Sequence, residues 1–599
     1  MLTWVLLYGR YGVSRMAKRK ARQDNQKSVD PTSEAWRRLP WRTFEQHVYR
    51  IQKRIYRANQ RGNTRAVHKL QKLLMKSEAA RLLAVRRVTQ DNQGKKTAGI
   101  DGVKSVQPKD RLVMAEQIHP THWKHHTPTP VRRVWIPKPG KAERRPLGIP
   151  TMLERSKQAV VKMALEPEWE AVFEPNSYGF RPGRSCHDAL EQIQNCIRRK
   201  PKYVFDADIR GCFDNINQTA LLEKLHTFPL MRQAIRAWLK AGILEGTVFT
   251  PTEVGTPQGG VISPLLANIA LDGMEQAVIE GYPKGHRVEK PMLVRYADDF
   301  LIFHSEKTAI EQAAKVITAW LADMGLILNP KKTCITHTYL EEEGKVGFDF
   351  LGCTVRQFPV GKTHTAKSTH GHPLGYKTII KPSKEAVQRH TTQTGKRIKR
   401  LRGAPQAALI KDLNPVIRGW SNYYRTVVSS RTFAACDTVL YAQLVSWAKW
   451  RHAKKGKRWR KEKYWRTIEG RKAFAVSDTF KLQQHSQTRI IRPYVKVRGN
   501  ASPYDGKMLY WSQRLKKHPL LSQTKAKLLQ KQQGKCRWCE LHFRDGDLME
   551  LDHLDRNHNN NALSNVMVLH LHCHDERHTK LAETETIRQK LADAGINIK

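Results

Sequence analysis

Two adjacent aspartates, Asp298 and Asp299, are the residues whose types and spacing point most directly to chemistry. An apolar run at 292–294 precedes them and another at 300–303 follows, a pattern that predicts a β-hairpin with both carboxylates at its tip. Adjacent buried carboxylates repel each other unless a cation lies between them. The pair therefore indicates a divalent metal site, of the kind in which two ions stabilise the attacking and leaving oxygens of phosphoryl transfer.

A second acidic segment lies earlier in the chain, at 203–209. Side chains alternate along a strand, so Asp206 and Asp208 would point to the same face. Either one could supply a third carboxylate to the metal site. An aromatic residue, Phe213, follows where the predicted strand passes into a helix.

The chain is strongly basic along most of its 599 residues, with 106 lysines and arginines against 54 aspartates and glutamates, a net charge of +52. An excess of this size predicts a polyanionic partner, and nucleic acid is the first candidate. The apolar stretch at 4–8 is far shorter than the ~20 residues that span a bilayer, and it lacks the charged-then-apolar order of a secretory signal. We therefore expect no membrane partner and a soluble, intracellular protein.

Three of the nine cysteines lie together in a histidine-rich region near the end of the chain. Cys536 and Cys539 have the spacing of half a zinc site, and His570 with Cys573 supplies the most natural second half. His572 could replace His570 as the fourth ligand. The other six cysteines are scattered, which is typical of reduced thiols in a cytosolic protein.

Hydrophobic periodicity divides the chain into segments of different character. Helical periodicity with many basic positions runs through 42–90 and returns at 380–450. Strand-like and helix-like stretches alternate through 131–355, which holds the paired aspartates. A Gly/His/Pro-rich stretch at 357–376 is interpreted as a linker.

Seven motifs follow one another in a fixed order: RRVWIPKPGKAERRPLGIPT, SYGFRPGRSCHDAL, FDADIRGCFDNI, GTPQGGVISPLLANIAL, RYADD, GLILNPKKT and FDFLGC. This series resembles the block set of reverse transcriptases. Together with the later motif LNPVIRGWSNYYR, which looks like a maturase signature, it resembles more narrowly the group II intron-encoded proteins. The resemblance extends from about residue 40 to the end of the chain.

The resemblance implies a multidomain α+β fold, a right-hand polymerase followed by a helical thumb/maturase domain and a zinc-containing ββα-metal HNH module. The implied domains are a basic N-terminal arm at 1–35, an N-terminal extension and the start of the fingers at 36–130, fingers and palm at 131–356, the thumb/maturase domain at 357–450, a DNA-binding region at 451–530 and the HNH endonuclease domain at 531–599.

The same resemblance assigns roles in polymerisation, whose cofactor would be a pair of Mg²⁺ ions. Asp208, Asp298 and Asp299 would hold the two ions, which prefer carboxylates and phosphate oxygens. The implied substrate-binding residues are Lys138 and Arg145 on the dNTP triphosphate, Phe213 beneath the sugar where it would exclude a 2′-OH, and Gln258 beside the templating pair. Lys331 or Lys332 could donate a proton near the triphosphate, although a solvated lysine is the simpler interpretation for each.

The last part of the chain resembles the HNH endonuclease motif in its Asp552-His553 pair, Asn565 and His574. By that resemblance His553 is the general base that activates water, which suits an imidazole with a pKa near neutrality. Asp552 and His574 would bind one Mg²⁺, and Asn565 would hold the intervening loop. The family usually has cysteine where this chain has His570, and a structural zinc ribbon without cleavage is the alternative.

The implied function is RNA-directed DNA synthesis, maturase assistance to the splicing of the protein's own intron RNA, and nicking of a target DNA strand that primes reverse transcription. The expected partners are intron RNA, target DNA and dNTPs, in a bacterial cytoplasm or an organellar matrix. Three alternatives remain at this stage: an RNA-binding splicing factor with vestigial active sites, a free-standing reverse transcriptase, and a homing endonuclease that only cleaves DNA.

Overall fold

The computed structural model describes residues 31–123, 127–137, 143–282, 289–361, 363–544 and 546–593. The chain is a mixed α/β protein, and within those ranges no helix has the length and apolar character needed to cross a bilayer. Its strands, β1 to β15, are Val131–Pro137, Arg144–Ile149, Tyr203–Asp208, Ile243–Glu245, Val248–Thr250, Met292–Tyr296, Asp299–His304, Cys334–His337, Phe348–Phe350, Cys353–Pro359, Tyr376–Pro382, Trp465–Ile468, Arg471–Phe474, Met549–His553 and Val566–His570.

Many of the α-helices alternate with the strands of the first half of the chain. Between residues 31 and 323 they are Pro31–Arg38, Trp41–Gln60, Thr64–Lys76, Glu78–Arg86, Pro108–Gln117, Met152–Glu170, Cys186–Ile197, Cys212–Asn215, Gln218–Lys224, Pro229–Leu239, Ser263–Ala270, Met274–Glu280 and Lys307–Asp323. The later helices are Lys384–Arg400, Gln406–Tyr424, Ser430–Arg451, Lys457–Tyr464, Met508–Leu515, Gln523–Lys531 and Leu571–Asp593.

A four-stranded sheet in the order β6-β7-β3-β8 forms the centre of the structure, with every neighbouring pair antiparallel. Alternate residues of its strands enter two different hydrophobic cores. Phe205 and Ile302 face one core, whereas Val204 and Phe303 face the other. The sheet is buried on both faces, so apolar residues dominate β6 and β7, and Asp208 and Asp299 lie together at one end of the sheet.

The N-terminal helices form part of the first core together with the helix Met152–Glu170. Asn63 caps the helix Thr64–Lys76 by accepting a hydrogen bond from the Ala66 backbone N–H. The helical periodicity of 42–90 is therefore confirmed. The helix Pro31–Arg38 begins inside the segment that the sequence assigned to an arm at 1–35, and residues 1–30 of that arm lie outside the described residues.

A second four-stranded sheet has the order β2-β1-β4-β5, and its strands β1 and β2 precede β3 in the chain whereas β4 and β5 follow it. Strands β1 and β2 form an antiparallel hairpin, and β1 pairs with β4 in parallel. Residues 138–142, which connect β1 to β2 in the chain, lie outside the described residues. This hairpin carries Arg145 on its second strand.

The interpretation of 357–376 as a linker is wrong at both ends. Strand β10 extends to Pro359 and strand β11 begins at Tyr376, and the two pair in antiparallel register. Val355 and Ile380 bury their side chains in the second core, which explains why the strands form despite the glycine-rich sequence between them.

Three helices between Lys384 and Arg451 form a third core around residues such as Leu409 and Leu413. The helical periodicity of 380–450 is confirmed, but the unit continues further than predicted. Tyr464 and Trp465 of the following helix and hairpin are buried in the same core.

Residues 483–520, here called the strap, return to the first half of the chain. The Val497 backbone N–H donates to Asp188 Oδ1 at 2.6 Å, and Arg514 forms a buried ion pair with the same carboxylate. Tyr504 donates its hydroxyl proton to Glu166 Oε2 at 2.7 Å. The resemblance implies a DNA-binding region at 451–530, which includes the strap. That assignment stays a prediction, and the groups named here contact the protein itself.

The helix Met508–Leu515 within the strap contacts two cores at once. Trp511 is buried in the second core beside the central sheet. Met508 and Leu509 pack against a fourth core, which belongs to the cysteine- and histidine-rich end of the chain. That end consists of an antiparallel β14–β15 hairpin followed by the helix Leu571–Asp593.

Candidate metal centres

The paired aspartates lie at the tip of a hairpin, as the sequence predicts. Tyr296 and Asp299 are partners in the β6–β7 register, so Ala297 and Asp298 form a two-residue turn between the strands. Ala297 adopts a left-handed backbone conformation with a φ of 60°. Asp208 ends β3 opposite Asp299, which brings the three predicted carboxylates to one edge of the central sheet.

Burial and the charges of the neighbouring acids disfavour the ionised forms of Asp298 and Asp299. Burial, a hydrogen bond with Asp208 and the charge of Asp298 raise the pKa of Asp299 to about 8. Burial and then the charge of Asp208 also raise the pKa of Asp298. The Lys332 ammonium partly offsets this repulsion by binding Asp208 Oδ2 at 2.5 Å.

This charge pattern fits a divalent cation at the edge of the sheet. The Lys332 ammonium supplies positive charge next to Asp208, as a bound metal ion would. Asn329 Nδ2 also donates to Asp208 Oδ2 at 3.2 Å. Magnesium is bound in proteins by one or two carboxylates together with substrate phosphates. Asp208, Asp298 and Asp299 are the residues that would hold it.

Asp206 occupies a different environment from Asp208, although both lie on β3. Its electrostatic neighbours are Lys345 and Asp349 in addition to Asp208. Burial first, opposed by the charge of Lys345, raises its pKa to about 7. Of the two candidates that strand alternation left open, Asp208 is the one that the structure brings to Asp299.

The predicted triphosphate clamp is described only in part. Arg145 is exposed on β2, and its positive charge lowers the pKa of Asp298 against the effect of burial. Lys138 lies outside the described residues. Arg145 is therefore close enough to the acids to interact with an anion bound there.

Two further predicted residues, Phe213 and Gln258, make contacts within the protein. Phe213 is half-buried and packs edge-to-face on Phe180, with ring centroids 6.1 Å apart. The Gln258 carbonyl accepts a hydrogen bond from the Gly148 N–H at 2.6 Å, which docks its loop on β2. Gly259 has a φ of 122°, and an added Cβ would lie 2.7 Å from the Gly148 oxygen, so only glycine fits this approach.

The second candidate centre is the predicted zinc site. Sulfur and nitrogen atoms of Cys536, Cys539, His570 and Cys573 all lie within 4.8 Å of one another. His570 Nδ1 is 3.4 Å from Cys539 Sγ and 3.8 Å from Cys573 Sγ. His572 is exposed and stacks on His570 outside this group, so the structure favours His570 as the fourth ligand.

The thiols of this group show the influence of their surroundings. Although burial opposes it, backbone hydrogen bonds from Cys539 and His570 lower the pKa of Cys536. Burial, followed by the neighbouring thiols Cys539 and Cys536, raises the pKa of Cys573 to about 12. Three thiols and an imidazole that share one small buried volume fit a tetrahedral Zn²⁺ site.

A third group, Asp552, His574 and His578, has its ligand atoms within 4.8 Å. The sequence predicted Asp552 and His574 but missed His578, whose Nε2 is 3.3 Å from Asp552 Oδ1. The available signal was the helical spacing, because His574 and His578 are one turn apart on Leu571–Asp593. Arg577, also on this helix, binds the other oxygen of Asp552.

His553 and Asn565 lie beside that third group. His553 is buried, and its Nε2 is 3.3 Å from Asn561 Oδ1 while Nδ1 finds no partner among the described residues. Asn565 Nδ2 donates to Asp555 Oδ1 at 2.7 Å and to the Asn560 carbonyl at 2.9 Å. Asn565 thus closes the loop between β14 and β15.

Comparison with known proteins identifies the segments that contain the acidic centre. Family models match the chain for reverse transcriptase (RNA-dependent DNA polymerase) at 136–355, the N-terminal domain of reverse transcriptase at 36–118 and the group II intron maturase-specific domain at 387–465. Protein YkfC of Escherichia coli is 34% identical over 307 residues, which is 45% of this chain and 79% of that protein.

Two other relatives match over smaller shares of their own length. Group II intron-encoded protein LtrA of Lactococcus lactis is 41% identical over 191 residues, 31% of each chain. An uncharacterized 91 kDa protein in the cob intron of Schizosaccharomyces pombe is 26% identical over 373 residues, 51% of this chain and 44% of that protein. The chain belongs to the family of group II intron reverse transcriptases and maturases.

Proposed function

We propose that this protein is an RNA-directed DNA polymerase that also assists splicing of its intron RNA and nicks DNA. The observation that carries the polymerase is the meeting of Asp208 with the Asp298-Asp299 turn at one edge of the central sheet. In this proposal that sheet is the palm, the β1–β2 sheet belongs to the fingers, and the helices from Lys384 to Arg451 form the thumb.

The residues around the acids would each perform one task in nucleotide addition. Bound Mg²⁺ would supply electrostatic stabilisation of the phosphoryl transfer. Arg145, with Lys138, would neutralise charge on the leaving pyrophosphate. Phe213, whose ring packs edge-to-face on Phe180, would pack under the sugar and would exclude a 2′-OH there.

The third group would form the nuclease. His553 would be the general base of this group: its Nε2 lies 3.3 Å from Asn561 Oδ1, while its Nδ1 is buried and has no partner among the described residues. Asn561 Nδ2 donates to the His558 carbonyl, which fixes this orientation of the amide. Asp552, His574 and His578 offer the donor set for a single Mg²⁺, and the Cys/His group would hold structural Zn²⁺.

The nucleic-acid partners follow from charge and from the maturase match. A net charge of +52 favours binding to a polyanion, and the matched maturase domain supports intron RNA as that partner. A nicked target DNA strand would then offer the 3′ end from which the RNA is copied. This sequence of steps is target-primed reverse transcription, which would make the intron mobile.

The test is to measure two reactions on the same purified protein. Primer extension on an RNA template should require Asp298 and be insensitive to His553→Ala, whereas nicking of a DNA duplex should show the reverse pattern. Extension equally strong in Asp298→Ala would contradict the polymerase assignment. Tight, specific RNA binding without either reaction would instead support the second candidate, an RNA-binding splicing factor with vestigial active sites.

A further inference from the structure

Arg295, immediately before the acidic turn, is buried completely beneath it. Its backbone is fixed on both sides, because the Arg295 N–H donates to the Asn176 carbonyl at 3.0 Å and the Arg295 carbonyl accepts from the Tyr178 N–H at 2.9 Å. The segment around 176–180 is therefore attached to the strand that delivers Asp298 and Asp299.

The Arg295 guanidinium reaches forward to the turn itself. Nη1 donates to the Ala297 carbonyl at 3.3 Å and to Asn268 Oδ1 at 3.2 Å. Asn268, also buried, donates from Nδ2 to the Gly179 carbonyl at 2.9 Å. One side chain thus connects the turn to the helix Ser263–Ala270 and to the loop that packs on it.

The packing of that loop leaves no spare space against the turn. A Cβ added at Gly179 would overlap the backbone nitrogen of Ala297. Ala297 has a positive φ, a conformation that an alanine adopts only when its surroundings impose it. The hydrogen bond from Arg295 to the Ala297 carbonyl is a contact that holds the peptide in this orientation.

The acids that interact with the Arg295 charge are Glu174 and Asp272, which are not among the predicted metal ligands. Burial raises the pKa of both Glu174 and Asp272, and the charge of Arg295 opposes that rise. Nε and Nη2 of Arg295 find no hydrogen-bond partner among the described residues. A buried guanidinium with unmade hydrogen bonds is costly to stability, which indicates a role other than packing.

We infer that Arg295 is a positioning residue for the polymerase: through the Ala297 carbonyl and Asn268 it fixes the orientation of the Asp298-Asp299 turn relative to the loop that carries Phe180. The inference rests on the proposed polymerase function. Arg295 touches neither substrate nor metal; it acts by holding the peptide from which Asp298 projects.

The test compares Arg295→Met and Arg295→Lys with Arg81→Met. Arg81 is a matched control, because it is another buried arginine whose Nη1 donates to a backbone carbonyl, that of Ala115. We expect kcat of Arg295→Met to fall about 100-fold, since a displacement of about 1 Å costs that much. The KM for dNTP should stay unchanged, and half-maximal activity should require more Mg²⁺.

Arg295→Lys should recover part of kcat, because an ammonium can still donate to the Ala297 carbonyl, and it replaces Arg295→Met if the latter fails to fold. Arg81→Met should lower the melting temperature while leaving kcat of the folded fraction intact. Wild-type kcat and Mg²⁺ dependence in Arg295→Met, beside an inactive Asp298→Asn, would overturn the inference but leave the polymerase standing.

A second readout does not depend on activity. Mn²⁺ binding is followed by electron paramagnetic resonance in a His574→Ala background, which removes the competing C-terminal group. Arg295→Met should weaken the remaining Mn²⁺ binding, and Arg81→Met should not. Equal affinities in the two variants would overturn the inference, whereas absence of primer extension by the wild-type protein would overturn the proposed function instead.

Discussion

Asp208, the last residue of β3, lies directly opposite Asp299, the first residue of β7, in an antiparallel register that runs back to Tyr203 and His304. The two carboxylates come from strands that are far apart in sequence and share a hydrogen bond. Their proximity is a property of strand pairing, so an isosteric change of either side chain should leave the geometry in place while removing its charge.

Replacing either acid by asparagine should therefore abolish DNA synthesis without unfolding the protein. We expect primer extension by Asp208→Asn or Asp299→Asn to fall at least about 100-fold, because a preorganised electrostatic group is lost. Asp206→Asn is the matched control on the same strand and should retain activity, since Asp206 lies by Lys345 and Asp349. If Asp206→Asn lost as much primer-extension activity as Asp208→Asn, the assignment of Asp208 rather than Asp206 as the third metal ligand would be wrong.

The Cys/His group should bind one zinc ion per chain, with His570 as a ligand and without His572. His570→Ala should lose the metal and melt the β14–β15 hairpin, because metal binding contributes to the folding of such modules. His572→Ala should keep both. Elemental analysis of the purified variants measures zinc directly, and full zinc occupancy in His570→Ala would be the contrary result.

His578 should be as important for DNA nicking as the residues that the sequence predicted. His578→Ala removes one donor from the group with Asp552 and His574. We therefore expect the Mg²⁺ concentration needed for nicking to rise at least about ten-fold, as it does when a metal site is weakened. His558→Ala is the control, because His558 is close to His553 but outside the group. Primer extension should be unaffected in both variants.

The helical region should lose stability on acidification because of a buried histidine pair. His390 Nε2 is 2.8 Å from His485 Nε2, and Asp437 binds His485 Nδ1 at 2.7 Å. Burial, then the charge of His485, lowers the pKa of His390 to about 4, whereas an unfolded histidine titrates near 6.5. Between these values the unfolded chain binds more protons, so the free energy of unfolding falls as the pH falls from about 6.5 to about 4.

Thermal melts of the wild-type protein and His390→Gln at pH 7 and pH 5 test this. Glutamine keeps a polar group next to His485 and does not titrate, so its melting temperature should fall less on acidification. The same loss in both proteins would show that other groups control the acid sensitivity.

A basic groove beside the third core should bind single-stranded nucleic acid. Lys457, Lys461 and Lys472 line a cavity of about 550 Å³ together with Tyr441, which is 42% exposed. Lys461→Glu should weaken RNA binding and reduce the salt dependence of log K by about one. Lys315→Glu makes an equal charge change on an exposed helix elsewhere, and it should change the RNA affinity and its salt dependence less than Lys461→Glu does. Filter binding at several salt concentrations measures the affinity and the salt dependence.

The features that the sequence predicted well depend on local pattern. The hairpin at Asp298 follows from two apolar runs around a polar pair. The spacing of Cys536 and Cys539 predicts half a metal site from neighbouring residues alone, whatever the rest of the fold. Strand alternation alone left open whether Asp206 or Asp208 joins the turn, because it gives both the same face. The family resemblance pointed to Asp208, and the pairing of β3 with β7 places Asp208 opposite Asp299.

The features that it missed depend on contacts between distant residues. Asp188 accepts from Val497 and pairs with Arg514 more than 300 residues later, and no local pattern around either segment signals that contact. The DNA-binding region at 451–530, which the resemblance implies and which includes the strap, stays a prediction. His578 was missed for a different reason. Two histidines four residues apart on a helix do not by themselves indicate a metal site, and their partner Asp552 lies on a strand that is distant in sequence.

The helix Met508–Leu515 packs on both the core behind the central sheet and the core of the C-terminal hairpin, so the two proposed reaction centres are joined by folded protein. In the proposed reaction the 3′ end that is extended is the one released by the nick. Because folded protein separates the two centres, that end would have to move a fixed distance from the C-terminal group to the acids before synthesis could begin.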